Sequence, residues 1–200
     1  MEYIQSLFSS NKILTIYRAG SCAYGVIGSA SDEDFVVVLD EFSGMMHIPK
    51  NDDGKEYFVF GRQEWIKKME FDEGLATYFK LFPDEVIGNI PLYLDEGFEG
   101  VYTSYQTREW VLVIKVQLSE IINFFSLYLE DGILTKLMWH LFRLEEQVLR
   151  FTSTGLWTLD LSNESKEKIL IYKDNYRLQS QDYVDEFKHI IEYLKEVMNS

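Results

Sequence analysis

Gly20-Ser21-Cys22-Ala23-Tyr24-Gly25, followed by Ser31-Asp32-Glu33-Asp34 and the run Phe35-Val36-Val37-Val38-Leu39, decides how this chain reads. The run is β-branched and apolar without alternation, which predicts a strand buried on both faces. Ile13–Tyr17 reads as an earlier strand that leads into the Gly-rich turn. Asp32 and Asp34 lie two apart on an extended chain, so both carboxylates project to one face. Side-by-side carboxylates repel unless a cation sits between them, and hard oxygen donors suit Mg²⁺, which also takes up substrate phosphates. A Gly-Ser turn after a strand can offer backbone N–H groups and a hydroxyl to a triphosphate, and glycine permits close approach. The combination points to metal-assisted phosphoryl or nucleotidyl transfer, two ions serving the attacking and leaving groups. The bland alternative is a solvated strand end.

Outward from this core, residues 2–10 predict a helix with Tyr3, Ile4, Leu7 and Phe8 on one face. Asp40 to Gly54 is polar and reads as a loop, with Met45-Met46-His47 packing against the core. Lys55–Phe60 predicts a strand, Gln63–Phe71 a helix, and Leu75–Leu81 a short helix stopped by Pro83. From Thr107 the period becomes helical. Trp110, Val113, Ile114, Gln117, Leu118, Ile121 and Ile122 recur every three or four residues, and Leu134, Leu137, Met138, Leu141, Leu144, Val148 and Phe151 form a second stripe. Gly155 stands at the expected stop. Asn163–Tyr172 and 182–198 predict two more helices, the last capped by Ser180 or Asp182. The expected fold is α+β: a small mixed sheet with flanking helices over 1–105, then a helical subdomain over 106–200 that completes the active-site cleft.

Composition narrows the function classes. The 200 residues carry 19 Lys plus Arg against 33 Asp plus Glu, a net charge of −14. So acidic a chain argues against general duplex nucleic-acid binding and against an anionic membrane partner. Residues 132–177 are the exception, with seven basic and six acidic side chains. The 46% hydrophobic content excludes disorder. Cys22 stands alone, which excludes an internal disulfide and a cysteine zinc site and suits a reducing cytoplasm. The first residues lack a signal peptide's basic and apolar regions. The most apolar stretch, 110–129, is interrupted by Lys115, Gln117, Ser119, Glu120 and Asn123, so no membrane span is expected.

The pattern Gly20-Ser21-x-Ala23-Tyr24-Gly25 with Ser31-Asp32-x-Asp34 resembles the GSxAYG…SDxD signature of a bacterial and phage branch of predicted nucleotidyltransferases, in the DNA polymerase β superfamily. The resemblance implies an NTP substrate, two Mg²⁺ ions, and Gly20, Ser21 and Tyr24 beside the nucleotide. It implies a third acid opening a neighbouring strand. Glu56 in Glu56-Tyr57-Phe58-Val59-Phe60-Gly61 fits that position, followed by Trp65, with Asp52 and Asp53 as alternatives on the preceding loop. Glu33 departs from the superfamily, which often has an apolar residue there.

The family's Lys, His and Arg on one helix match Lys136, His140 and Arg143, spaced i, i+4 and i+7 on one face. Its Thr-Gly and Ile-x-Lys elements match Thr154-Gly155 and Ile171-Tyr172-Lys173. Lys136, His140, Arg143 and Lys173 are thereby implied as nucleotide-phosphate contacts; surface ion pairing and a packed histidine are the plain alternatives. The expected activity is Mg²⁺-dependent transfer of an NMP to an unidentified hydroxyl or amine. The alternatives are a non-catalytic nucleotide- or partner-binding protein on the same fold and a blocker acting through its acidic surface.

Overall fold

The computed structural model describes residues 2–28, 32–70, 86–87, 91–98, 114–115, 117–119, 121–122, 134–155, 157–174 and 181–199. The chain divides into two compact units, Met1–Thr107 and Arg108–Ser200.

In the first unit, helix α1 (Glu2–Leu7) precedes strand β1 (Ile13–Ala19), and the Gly-rich turn is a single helical turn, α2 (Gly20–Ala23). Strands β2 (Glu33–Leu39), β3 (Met45–Ile48) and β4 (Lys55–Gly61) follow, then helix α3 (Arg62–Glu70) and the short strands β5 (Val86–Ile87) and β6 (Tyr93–Leu94). The five-stranded sheet runs β3-β4-β2-β1-β6. β2 occupies its centre, antiparallel to β1 and parallel to β4.

That position explains the unbroken apolar run. Phe35, Val37 and Leu39 pack with Ile4, Ile13, Ile16, Tyr57 and Val59 on the α1 side. Val36 and Val38, on the opposite face, are fully buried too. Each such side chain contributes roughly 1.5–3 kcal/mol, an upper figure because the unfolded chain already buries some of it. Trp65 of α3 is fully buried against Phe60, with ring centroids 5.1 Å apart.

The segment 40–54 is not simply a loop. It contains β3, which pairs antiparallel with β4 and places His47 opposite Phe58. Met45, Met46 and His47 are exposed on this edge strand rather than packed in the core. β3 is four residues long and flanked by the polar stretches 40–44 and 49–54, too short a run for period to tell strand from loop. The helix expected at 75–81 lies outside the described residues.

The second unit contains helices α4 (Leu134–Thr154), α5 (Asn163–Asp174) and α6 (Gln181–Asn199), with a two-residue strand β7 (Trp157–Thr158). Residues 114–115, 117–119 and 121–122 are also helical. The α4 stripe is buried at Met138, Leu141, Leu144 and Val148, and the α6 stripe at Phe187, Ile190 and Leu194. Gly155 ends α4 at φ +73°, its N–H donating to the Phe151 carbonyl at 2.7 Å. Ser162 Oγ accepts from the Ser165 N–H at 3.2 Å, capping α5. The proposed caps of α6 lie outside the described side chains. Among the described residues no helix is long and apolar enough to cross a membrane.

One side chain of this unit is held against its own charge. Burial pushes the Glu145 carboxyl up; Glu186 adds to the shift, while Lys168 and His189 oppose it. The folded state therefore holds this proton more tightly than the unfolded chain does. The contribution is complete below the unfolded value, about 4.3, and is lost as pH rises through the higher folded value. Glu145→Gln is expected to raise Tm above neutral pH by about 1–2 °C, a small gain because the group is only half-buried. Melting curves at pH 8 and pH 3.5 check this, with the difference vanishing in acid.

Candidate active site

Strand register brings the sequence motifs together. Asp34 lies opposite Ala19 of β1 on one side and Glu56 of β4 on the other. Because β2 and β4 are parallel and in register, Asp34 and Glu56 share a sheet face. It is the face of Val36, Val38, Phe58 and Phe60, opposite α1. Asp32, two residues earlier, lies on the same side at the mouth of β2. Glu33 alternates to the other face.

The Gly-Ser turn is fitted around Asp34. Gly20 directly follows the residue paired with Asp34 and adopts φ +53°, the left-handed region that favours glycine. A Cβ on Gly20 would lie 2.0 Å from Asp34 Oδ2, so only glycine leaves room for the carboxylate. Ser21 and Tyr24 are buried within the turn. The turn closes on itself through Val26 N–H to the Ser21 carbonyl at 3.0 Å and Gly25 N–H to the Cys22 carbonyl at 3.3 Å. Cys22 Sγ donates weakly to the Asp32 carbonyl at 3.9 Å, and burial pushes this thiol up. It is a filler tying the turn to the start of β2.

Two basic side chains that the sequence reading missed sit on the outer acids. Lys50 Nζ pairs with Asp32 Oδ1. His47 Nε2 pairs with Glu56 Oε1, its ring stacked on Phe58 at 5.0 Å. The signal was the turn Asn51-Asp52-Asp53-Gly54, whose Asp-Gly step marks a hairpin. Reading that hairpin places His47 on the face of Glu56 and Lys50 at the turn. Asp52 and Asp53 are exposed at the turn tip, whereas Glu56 is in register with Asp34.

Among the described residues no group of three or more His, Cys, Asp or Glu is gathered closely enough to hold a metal ion. By residue type alone, Asp32, Asp34 and Glu56 are hard oxygen donors of the kind a divalent cation takes, a donor set defined by chemistry and strand face. It consists of carboxylates on one face, beside a glycine whose missing side chain opens the approach to Asp34, and two of them already carry a basic group in that role.

The helical residues are distributed differently. The backbone of Lys136 lies in the first turn of α4, and its side chain is outside the described set. His140 stacks on Trp139 with ring centroids 3.7 Å apart, and Lys173 Nζ lies 5.2 Å from the Trp139 ring centre, so one indole gathers both. Arg143, expected to contact phosphate, lies inside the helical unit. It is 3% exposed and donates to Gln147 Oε1 and Gln117 Oε1, each at 2.7 Å. Gln147 in turn donates to the Thr158 carbonyl at 2.7 Å. Removing water from a guanidinium is costly unless its donors are met, and two glutamine acceptors inside the helical unit each take one of them.

No family model and no curated protein matches this chain. Among solved structures it is similar to the spectinomycin adenyltransferase AAD(9) from Enterococcus faecialis, a structure with ATP and spectinomycin. The TM-score is 0.50 at 15% identity, covering 100% of this chain and 96% of that one. The fold is shared with a nucleotidyltransferase. A nucleotidyltransferase-like protein from Exiguobacterium sibiricum 255-15 aligns at TM-score 0.36 and 9% identity, over 99% of this chain and 73% of that one.

Proposed function

We propose that the chain is a Mg²⁺-dependent nucleotidyltransferase that moves an NMP from an NTP, ATP in the first instance, to a hydroxyl or amine of a small-molecule acceptor. The observation that carries this reading is the parallel register of Asp34 with Glu56, with Gly20 held open over the Asp34 carboxylate. Asp32 and Asp34 would hold the ions against the nucleotide phosphates, and Glu56 would hold the ion on the acceptor side. Bound there, Mg²⁺ supplies the positive charge that offsets the phosphates and lowers the pKa of the acceptor. Gly20 and Ser21 present the turn to the β- and γ-phosphates, and Tyr24 packs that turn into place. The acceptor oxygen or nitrogen attacks the α-phosphorus and gives up its proton to solvent, the bond from the α-phosphorus to the bridging oxygen breaks, and pyrophosphate leaves with that oxygen. His140 and Lys173, gathered on Trp139, and Lys136 remain assigned to phosphate charge, whereas Arg143 is assigned to packing.

The test is incubation with α-phosphate-labelled ATP, GTP, CTP and UTP, Mg²⁺ and a panel of acceptors headed by spectinomycin and other polyhydroxylated amines. Label in an acceptor product with release of pyrophosphate supports the proposal. Absence of Mg²⁺-dependent nucleotide binding by the wild type sinks it. A second reading, a non-catalytic nucleotide-binding protein, draws support from Lys50 and His47, which contact two of the acids without a metal. Tight NTP binding with no turnover on any acceptor would favour it.

A further inference from the structure

The β3–β4 turn is built to hold Lys50 in place. Asn51 Oδ1 accepts from the backbone N–H of Asp53 at 3.1 Å and of Lys55 at 3.0 Å. Asn51 N–H donates to the Lys55 carbonyl at 3.0 Å, and Gly54 N–H to the Asn51 carbonyl at 2.9 Å. Glu33 N–H then donates to the Gly54 carbonyl at 3.0 Å, which stitches the turn to the residue between the two aspartates. The stem of Lys50 lies along the turn: a Cβ on Gly54 would be 3.8 Å from its Cε. Its ammonium ends on Asp32 Oδ1, an oxygen that the proposed function assigns to a metal ion. Both side chains are partly exposed, at 52% and 36%, while Asp32 Oδ1 is itself buried, with the Lys50 ammonium as its ion-pair partner.

Resting on that proposed function, we infer that Lys50 is a resident counter-ion of the metal site, a positioning residue whose ammonium occupies Asp32 until a divalent cation displaces it. The ammonium and a divalent ion brought to the same carboxylate repel each other at contact distance, so the two compete for Asp32. Lys50 therefore holds Asp32 in place between turnovers and disfavours binding of a bare ion that brings no phosphates with it.

The readout is Mn²⁺ binding to the protein without nucleotide, followed by electron paramagnetic resonance, with melting curves confirming that each variant is folded. Lys50→Met is expected to tighten Mn²⁺ binding about tenfold, beyond what loss of one neighbouring charge gives. Lys55→Met removes the same charge just beyond the turn and is expected to change affinity by less than about threefold. Lys50→Arg, which keeps the pair, is expected to match wild type, and Asp32→Asn is expected to erase the Lys50→Met gain. Equal shifts for Lys50→Met and Lys55→Met, or no shift for Lys50→Met, would overturn the inference. If Mn²⁺ still binds with ATP in an Asp32-dependent manner, that failure leaves the proposed function standing. If Mn²⁺–ATP binding ignores both Asp32 and Asp34, the proposed function falls with it.

Discussion

Asp34→Asn is expected to lower kcat/KM for nucleotidyl transfer at least about 10³-fold, some 4 kcal/mol of transition-state stabilisation, while the protein still folds. The amide keeps the shape of the side chain and removes its charge. Asp34 stands where three parts of the first unit meet: the central strand, the neighbouring parallel strand with Glu56, and the Gly-Ser turn that follows the antiparallel partner. On the proposed function, an anionic oxygen there would be shared by the ions on both sides, so its loss would affect both the attacking and the leaving group. Folding does not depend on that charge, because the strand is held by the apolar residues from Phe35 to Leu39. Glu33→Gln is the internal comparison. It removes the same charge one residue away on the opposite face and is expected to cost less than about fivefold. Retention of activity within tenfold by Asp34→Asn, measured by label transfer, would place the chemistry elsewhere.

Gly20→Ala is expected to damage both stability and activity. At φ +53° an alanine costs about 1–2 kcal/mol in the left-handed region. In addition, its methyl would lie 2.0 Å from Asp34 Oδ2, so either the carboxylate or the turn must move. For a chain of this size the backbone cost alone lowers Tm by about 2–8 °C. Displacing a reacting group by about 1 Å costs about 10²-fold in rate. Gly44→Ala separates the two effects. Gly44 is also left-handed, at φ +85°, but a Cβ there meets nothing within 4 Å. It should lose stability without losing catalysis. Calorimetry and label transfer on both variants check this, and equal activity losses would show that the crowding at Asp34 is inconsequential.

Much of this was legible in the chain itself. The unalternating run Phe35–Leu39 predicts a strand covered on both faces, and β2 is the central strand for that reason. The helical stripes of α4 and α6 predict their own buried faces, since a period near 3.6 has one geometric solution. The Gly-Ser turn and the paired aspartates are likewise local, because their meaning depends on a few consecutive residues. The edge strand β3 escaped because four residues, Met45–Ile48, are too short a run to show a period of two. Asn51 to Gly54 held the clue, but a turn signal needs a partner strand before it names a hairpin.

The central strand, the amphipathic helices and the closeness of Asp32 and Asp34 to the Gly-Ser turn were legible locally, because backbone propensity, hydrophobic period and adjacent charge act over short range. Strand pairing and helix packing put Glu56 rather than Asp52 or Asp53 in register with Asp34, bring Lys50 and His47 to Asp32 and Glu56, and turn Arg143 inward to Gln117 and Gln147. Those outcomes depend on which strand lies beside which, and on which face of a helix meets a buried acceptor. Helical spacing puts Lys136, His140 and Arg143 on one face, but burial and the reach of each side chain determine what each one touches.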